Sequence, residues 1–262
     1  MLDDQPKKAA IFDLDKTILS TASTMAMRKP LLEVGLLKRS DSIVSTLSHM
    51  PFLLFGEAEG RNKRLRQQLG ELTAGWSIDK INEAARNASI SALHARCYVD
   101  TLDLIQVHKA AGHKIVIATA SPHPLVEPLA EVLGADYTLA TKVAIQDGLL
   151  TGEVSELNHG IEKANAVKRL AERENWDLTA SWAYSDSFSD LPLLELVGNP
   201  VTINADRQLR QIARAEDWPI NHFTRTVEIR PGDYITKGLL VGAVIGTATL
   251  GTYLVIHSRG RG

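Results

Sequence analysis

The stretch IFDLDKTIL, residues 11–19, places Asp13 and Asp15 two positions apart at the end of an apolar run. Residues 8–13, KAAIFD, read as a short strand buried on both faces, because the apolar run shows no alternation. Neighbouring carboxylates repel and raise each other's pKa, so the pair costs stability unless a cation or a reaction uses it. The fold and the function both turn on what that use is.

Three later apolar runs resemble the first: KIVIATA from Lys114, SWAYSD from Ser181 and PVTIN from Pro200. Helical patterns separate them, over Pro124 to Leu133 closed by Gly134, Ile161 to Glu174, Asp190 to Val197 and Asp206 to Ala215. Strands alternating with helices predict right-handed crossovers and an α/β fold with a doubly wound parallel sheet. Between the first strand and Lys114 no strand pattern is convincing, and apolar positions at spacings of three and four predict helices instead. An insertion after the first strand sits over the crevice where open sheets bind ligands, so it reads as a helical cap. The expected division is a core of 7–20 and 99–228, with a cap of 21–98. Around Asp147-Gly148, a strong hairpin signal, the alternation in ATKVAIQDGLLTGEV predicts a small β flap between the two halves of the sheet.

The residues that could carry chemistry fall at the carboxyl ends of these strands. Asp13, Asp15 and Thr17 follow the first, Thr119 and Ser121 the second, and Asp186 and Asp190 the third, while Lys163 opens the helix before the third. In a parallel sheet those ends share one edge. Carboxylates gathered there without a His or Cys cluster describe a hard oxygen site for Mg²⁺, an ion held by one or two carboxylates plus phosphate oxygens and water. A lysine, a threonine hydroxyl and backbone N–H groups would hold the remaining phosphate oxygens, and phosphoryl transfer needs mainly positioning and charge neutralisation.

In order and spacing, DLDKT, Thr119 in IVIATAS, Lys163 in GIEKANAVKRL and SDSFSD resemble the motifs of the haloacid dehalogenase superfamily of aspartate-nucleophile phosphatases. With the helical insertion and INADRQL, the chain looks like subfamily IB, the phosphoserine-phosphatase-like hydrolases, over about residues 8 to 220. The resemblance implies an Asp13 nucleophile that becomes an aspartyl-phosphate, and Asp15 as general acid and then base. It implies Mg²⁺ on Asp13, Asp186 and the backbone carbonyl of Asp15, a phosphoryl group on Thr119, Ala120 and Lys163, and Asp190 either positioning Lys163 or ligating the metal through water. Ala22 departs from the pattern, since phosphoserine phosphatases have a glutamate nine positions after the nucleophile to engage the substrate ammonium. Ser187 replaces a usual glycine.

Net charge is −2 and the basic residues are scattered, so no nucleic-acid partner is expected. The single cysteine, Cys97, excludes an internal disulfide and a cysteine-cluster metal site. His49, His94, His108, His113, His123 and His159 show no ligand spacing and read as solvated, as does the basic run of Lys63, Arg64 and Arg66. The stretch MLDDQPKKAAIF lacks an apolar run followed by a cleavage site, so no secretory signal is expected. Residues 238–256 are 19 residues without a charge and predict a transmembrane helix. Gly238, Gly242 and Gly246 would lie on one face of it, permitting a homodimer in lipid. The expected enzyme is therefore a phosphomonoester hydrolase anchored to the cell membrane with its catalytic part cytoplasmic. Its substrate would be a small-molecule or lipid phosphate; the alternatives are a phosphoserine phosphatase proper, a membrane-anchored phosphotransferase or a non-catalytic binding protein, and a cytoplasmic location.

Overall fold

A computed structural model describes residues 7–37, 58–87 and 96–227. Seven strands form one sheet in the order β4-β3-β2-β1-β5-β6-β7. They are β1 (Ala9–Phe12), β2 (Lys114–Pro122), β3 (Tyr137–Gln146), β4 (Leu149–Glu156), β5 (Trp182–Ser185), β6 (Asn199–Ile203) and β7 (Ile220–Asn221). All pairs are parallel except β3 with β4.

Side chains alternate across the central strands with a period of two. Phe12, Ile115, Ile117 and Tyr184 pack on one face with α5 (Val99–Ala110) and α6 (His123–Leu133). Ile11, Val116, Ala118 and Ala183 pack on the other with α7 (Ile161–Glu174), α8 (Leu191–Leu194) and α9 (Arg207–Ala215). Both faces are covered, which is why the strand sequences read as continuous apolar runs. Helix ends follow local chemistry: α6 stops at Gly134 and α7 at Asn175, both in left-handed conformation, and Asp206 caps α9 by accepting from Leu209 N–H at 2.8 Å.

The insertion after β1 contributes α1 (Ser23–Ala26), α2 (Arg28–Glu33), α3 (Ala58–Thr73) and α4 (Ile78–Asn87). It is joined to the hairpin by backbone. Gly75 N–H donates to Leu150 O (2.7 Å), Leu150 N–H to Trp76 O (2.9 Å) and Ile78 N–H to Gly148 O (3.0 Å). Gly70 of α3 lies so close to Gly152 of β4 that a Cβ on Gly70 would collide with the Gly152 carbonyl oxygen.

Three expectations are corrected. The sheet is mixed rather than parallel, with β4 as an antiparallel edge strand and β7 extending the opposite side. The segment read as a flap is not separate, because β3 begins at Tyr137 and pairs with β2 from Val116 onward, making the hairpin part of the main sheet. No helix among the described residues is long and apolar enough to cross a membrane. The longest, α3, has 16 residues and rises about 24 Å, short of a hydrocarbon core of about 30 Å, and it is rich in charge. The segment 238–256, with its glycines, lies outside the described residues. The described residues form a core with a helical insertion, and the expected membrane-anchored architecture finds no support among them.

Candidate active site

Asp13 leaves β1 at its carboxyl end, its N–H donating to Tyr184 O at 2.9 Å in neighbouring β5. The chain then turns sharply. Lys16 takes a φ of +62°, uncommon for a residue with a Cβ, and Ile18 and Leu19 N–H both return to Leu14 O. Asp13 and Asp15 are thereby offered to the same sheet edge as the ends of β2 and β5.

At that edge Lys163 Nζ donates to Asp13 Oδ1 and Asp190 Oδ2, each at 2.8 Å. Lys163 is 2% exposed, Asp13 6% and Asp190 1%, so the bridge is sealed from water. Ser185 hydroxyl also donates to Asp190 Oδ2 at 2.7 Å, while Asp190 Oδ1 is buried without a hydrogen-bond partner. Asp15 is half-buried, its Oδ1 accepting from Ser23 N–H (2.7 Å) and its Oδ2 from Ser121 hydroxyl (3.3 Å). Thr119 is buried at the end of β2, and its Oγ1 accepts from Ser121 N–H at 3.1 Å. Half-buried Ala120 lies between them on the strand. Asp186, also half-buried, follows β5, and its carbonyl accepts from Asp206 N–H at 2.7 Å.

Burial dominates the electrostatics. It pushes the Asp13 carboxyl up to about 7 against the pull of Lys163, with Asp190 and Asp15 adding repulsion. Burial also raises Asp186 well above the carboxylate range, helped by Asp13 and Asp190. Asp15 is raised by burial and held down by its bonds from Ser23 and Ser121. For Lys163 burial alone would favour the neutral amine, but Asp13 and Asp190 outweigh it and keep the ammonium.

Among the described residues, Asp13, Asp15, Asp186 and Asp190 gather around one buried lysine, with exposed Lys16 acting on Asp186, and the excess of negative charge suits a divalent cation. No group of three His, Cys, Asp or Glu among the described residues is close enough to form a metal site by itself. The deficit is compatible with Mg²⁺, which completes its shell with carbonyl, phosphate and water oxygens, so the donor set fits that ion.

Residues that the motifs did not announce complete the edge. Asn158 Nδ2 donates to the carbonyls of Thr119 (3.0 Å) and Leu139 (2.8 Å), fixing the end of β2. Asp206, in the segment INADRQL, accepts from Phe188 N–H at 2.7 Å and so braces the loop between Asp186 and Asp190. A strand-end Asn or an N-cap Asp gives only a generic signal in sequence. Two histidines read as solvated are buried: His108 bonds His113 (2.8 Å) and Tyr184 hydroxyl (2.7 Å), and His159 Nδ1 meets Asn62 Oδ1 of α3 at 3.1 Å. His113 stacks on Trp182 and His108 meets Phe12 edge-on, which draws the first pair inward. Arg66 is half-buried and donates to Val154 O at 2.9 Å, while Lys63 and Arg64 are exposed.

Residues 10–195 match the haloacid dehalogenase-like hydrolase family. The chain belongs to that family. Among curated relatives of this hydrolase is a probable phosphatase of Mycobacterium tuberculosis, 38% identical over 224 residues, covering 86% of this chain and 78% of that protein. The phosphoserine phosphatase SerB1 of the same species is 33% identical over 222 residues, covering 82% of this chain and 70% of its own length. A solved structure of a protein of unknown function from Bordetella pertussis Tohama I superposes with a TM-score of 0.70 at 26% identity, covering 83% of this chain and 99% of that one.

Proposed function

We propose that this hydrolase is a magnesium-dependent phosphomonoesterase of the phosphoserine-phosphatase-like branch, acting on a small-molecule phosphate ester through an aspartyl-phosphate on Asp13. The observation that carries the reading is the sealed bridge from Asp13 through Lys163 to Asp190, with Asp15 held two residues further on. A carboxylate nucleophile divides ester hydrolysis into two displacements. In the first, Asp13 attacks phosphorus, the ester P–O bond breaks, and Asp15 delivers a proton to the departing oxygen. In the second, Asp15 takes a proton from water, which attacks the same phosphorus and frees Asp13 with inorganic phosphate. Lys163 faces the phosphoryl charge that accumulates on Asp13, Asp190 fixes the ammonium, and Thr119 hydroxyl with Ala120 N–H receives phosphoryl oxygens. The carboxylates of Asp13 and Asp186 and the carbonyl of Asp15 would hold Mg²⁺, which when bound supplies Lewis-acid neutralisation of the phosphoryl group.

With no membrane-crossing helix among the described residues, no structural feature favours a lipid phosphate over a soluble ester. Phosphoserine is the first ester to test, because a relative bearing that activity in its name covers most of the chain. Ala22 leaves the substrate ammonium without the expected glutamate, so a different ester is the competing outcome. The test is Mg²⁺-dependent phosphate release from phosphoserine, sugar phosphates and nucleotides by the wild type and by Asp13→Asn. Release that vanishes in the variant is expected, and release that persists in it would overturn the nucleophile assignment. Folded wild-type protein that hydrolyses none of them would favour a binding role instead.

A further inference from the structure

We infer that Ser121, with Ser23 behind it, is the positioning residue for Asp15, its hydroxyl fixing which carboxyl oxygen is turned toward the departing group. The inference rests on Asp15 acting as the acid and base of the proposed reaction.

Four contacts define the arrangement. Ser23 N–H donates to Asp15 Oδ1 at 2.7 Å, and Ser121 hydroxyl donates to Asp15 Oδ2 at 3.3 Å. The hydroxyls of Ser23 and Ser121 lie 2.7 Å apart. Ser121 N–H meets Thr119 Oγ1 at 3.1 Å. Each serine is 3% exposed, so both donors reach half-buried Asp15 from the protein side of the site.

The hydrogen inventory gives the clamp a direction. Ser121 has one hydroxyl proton, and committing it to Asp15 leaves its oxygen to accept from Ser23. The Ser23 peptide N–H can only donate, which pins Oδ1, and the Ser121 hydroxyl then sets the rotation of the carboxyl through Oδ2. A hydroxyl can also accept, so the clamp holds the carboxyl whether or not it carries the proton in transit. Both parts of the phosphoryl machinery at this edge thus converge on one residue. Ser121 holds the acid through its side chain and the phosphate-facing threonine through its peptide N–H. Replacing it with alanine removes the first function and keeps the second.

Positioning an acid matters in proportion to how badly the leaving group needs a proton. Phenyl phosphate and p-nitrophenyl phosphate have similar shapes, but phenolate is much the poorer leaving group. The value of kcat/KM reports the first displacement, in which that proton is used. Ser121→Ala is expected to lower kcat/KM for phenyl phosphate about tenfold, part of the 10²–10⁴-fold that a general acid supplies, and to lower p-nitrophenyl phosphate less than about threefold. Ser121→Thr should restore phenyl phosphate to within about threefold of wild type. Ser23→Ala keeps its peptide N–H and should show the same leaving-group pattern more weakly; it carries the comparison if thermal unfolding shows that Ser121→Ala does not fold. Equal losses on both esters, or no loss, would overturn the inference provided Asp15→Asn shows strong leaving-group dependence. If Asp15→Asn itself treats the two esters alike, the acid role of Asp15 falls, and the inference falls with it.

Discussion

Lys163 lies between Asp13 and Asp190 at 2.8 Å from each, and removing its ammonium leaves two buried carboxylates with nothing between them. Breaking a buried ion pair from one side typically costs about 3–5 kcal/mol. Lys163→Met is therefore expected to lose about that much in urea unfolding at neutral pH as well as turnover, and an unchanged midpoint would show that the bridge contributes no stability. Asp13→Asn behaves oppositely, because burial and its acidic neighbours already disfavour the charge it removes. It should abolish turnover while leaving metal-free stability within about 1 kcal/mol of wild type or above it, since functional groups are often retained at the expense of stability. A large loss of stability would mean that the Asp13 charge is favourable in the fold. The motif aspartates and Lys163 were legible because the residue types and strand-end positions together restrict the chemistry. Ser23, Ser185 and Asn158 were not, since a lone serine or asparagine has many ordinary uses and Ser23 finds Ser121 98 positions away.

The insertion and the hairpin behave as one unit at the element scale. Their backbones bond between Gly75 and Leu150 and between Ile78 and Gly148, Arg66 reaches Val154 O, and Gly70 touches Gly152. Gly152 has a φ of +87° and a Cβ there would also meet Gly70 O at 2.9 Å, so neither residue has room to move aside. Overpacking of this kind costs about 1–3 kcal/mol. Gly70→Ala should lose that amount in urea unfolding, and it should raise KM more than it lowers kcat, because α3 reaches the loop before Lys163 through Asn62 and His159 without supplying reacting groups. Full stability and unchanged KM would show that α3 shifts freely on the hairpin. This junction could not be read in advance. The Asp147-Gly148 turn announced a hairpin correctly, but pairing of Tyr137–Leu139 with β2 is a long-range contact that local alternation does not encode. The core strands were legible as uninterrupted apolar runs, and the helices α7 and α9 because their apolar spacing holds over enough residues.

Across the whole molecule, the acidic edge makes metal binding, protonation and stability one linked equilibrium. Burial raises Asp13 from 3.8 to about 7, and burial with repulsion from Asp13 and Asp190 raises Asp186 in the same direction. Between the unfolded and folded pKa values the folded protein holds more protons than the unfolded chain. The stability these groups contribute is therefore present below the unfolded value and is lost as pH rises through about 7. A divalent cation competes with those protons, and a ligand that binds only the folded state stabilises it by mass action. In EDTA the unfolding temperature should fall between about pH 5 and pH 8 through these groups, and millimolar Mg²⁺ should raise it much more at the upper pH than at the lower. Asp13→Asn should flatten both dependences, because it removes one titrating carboxylate and the repulsion that raises Asp186. An Mg²⁺ shift of equal size at both pH values would mean that the cation does not bind where these carboxylates titrate, and the metal assignment would have to move away from Asp13 and Asp186.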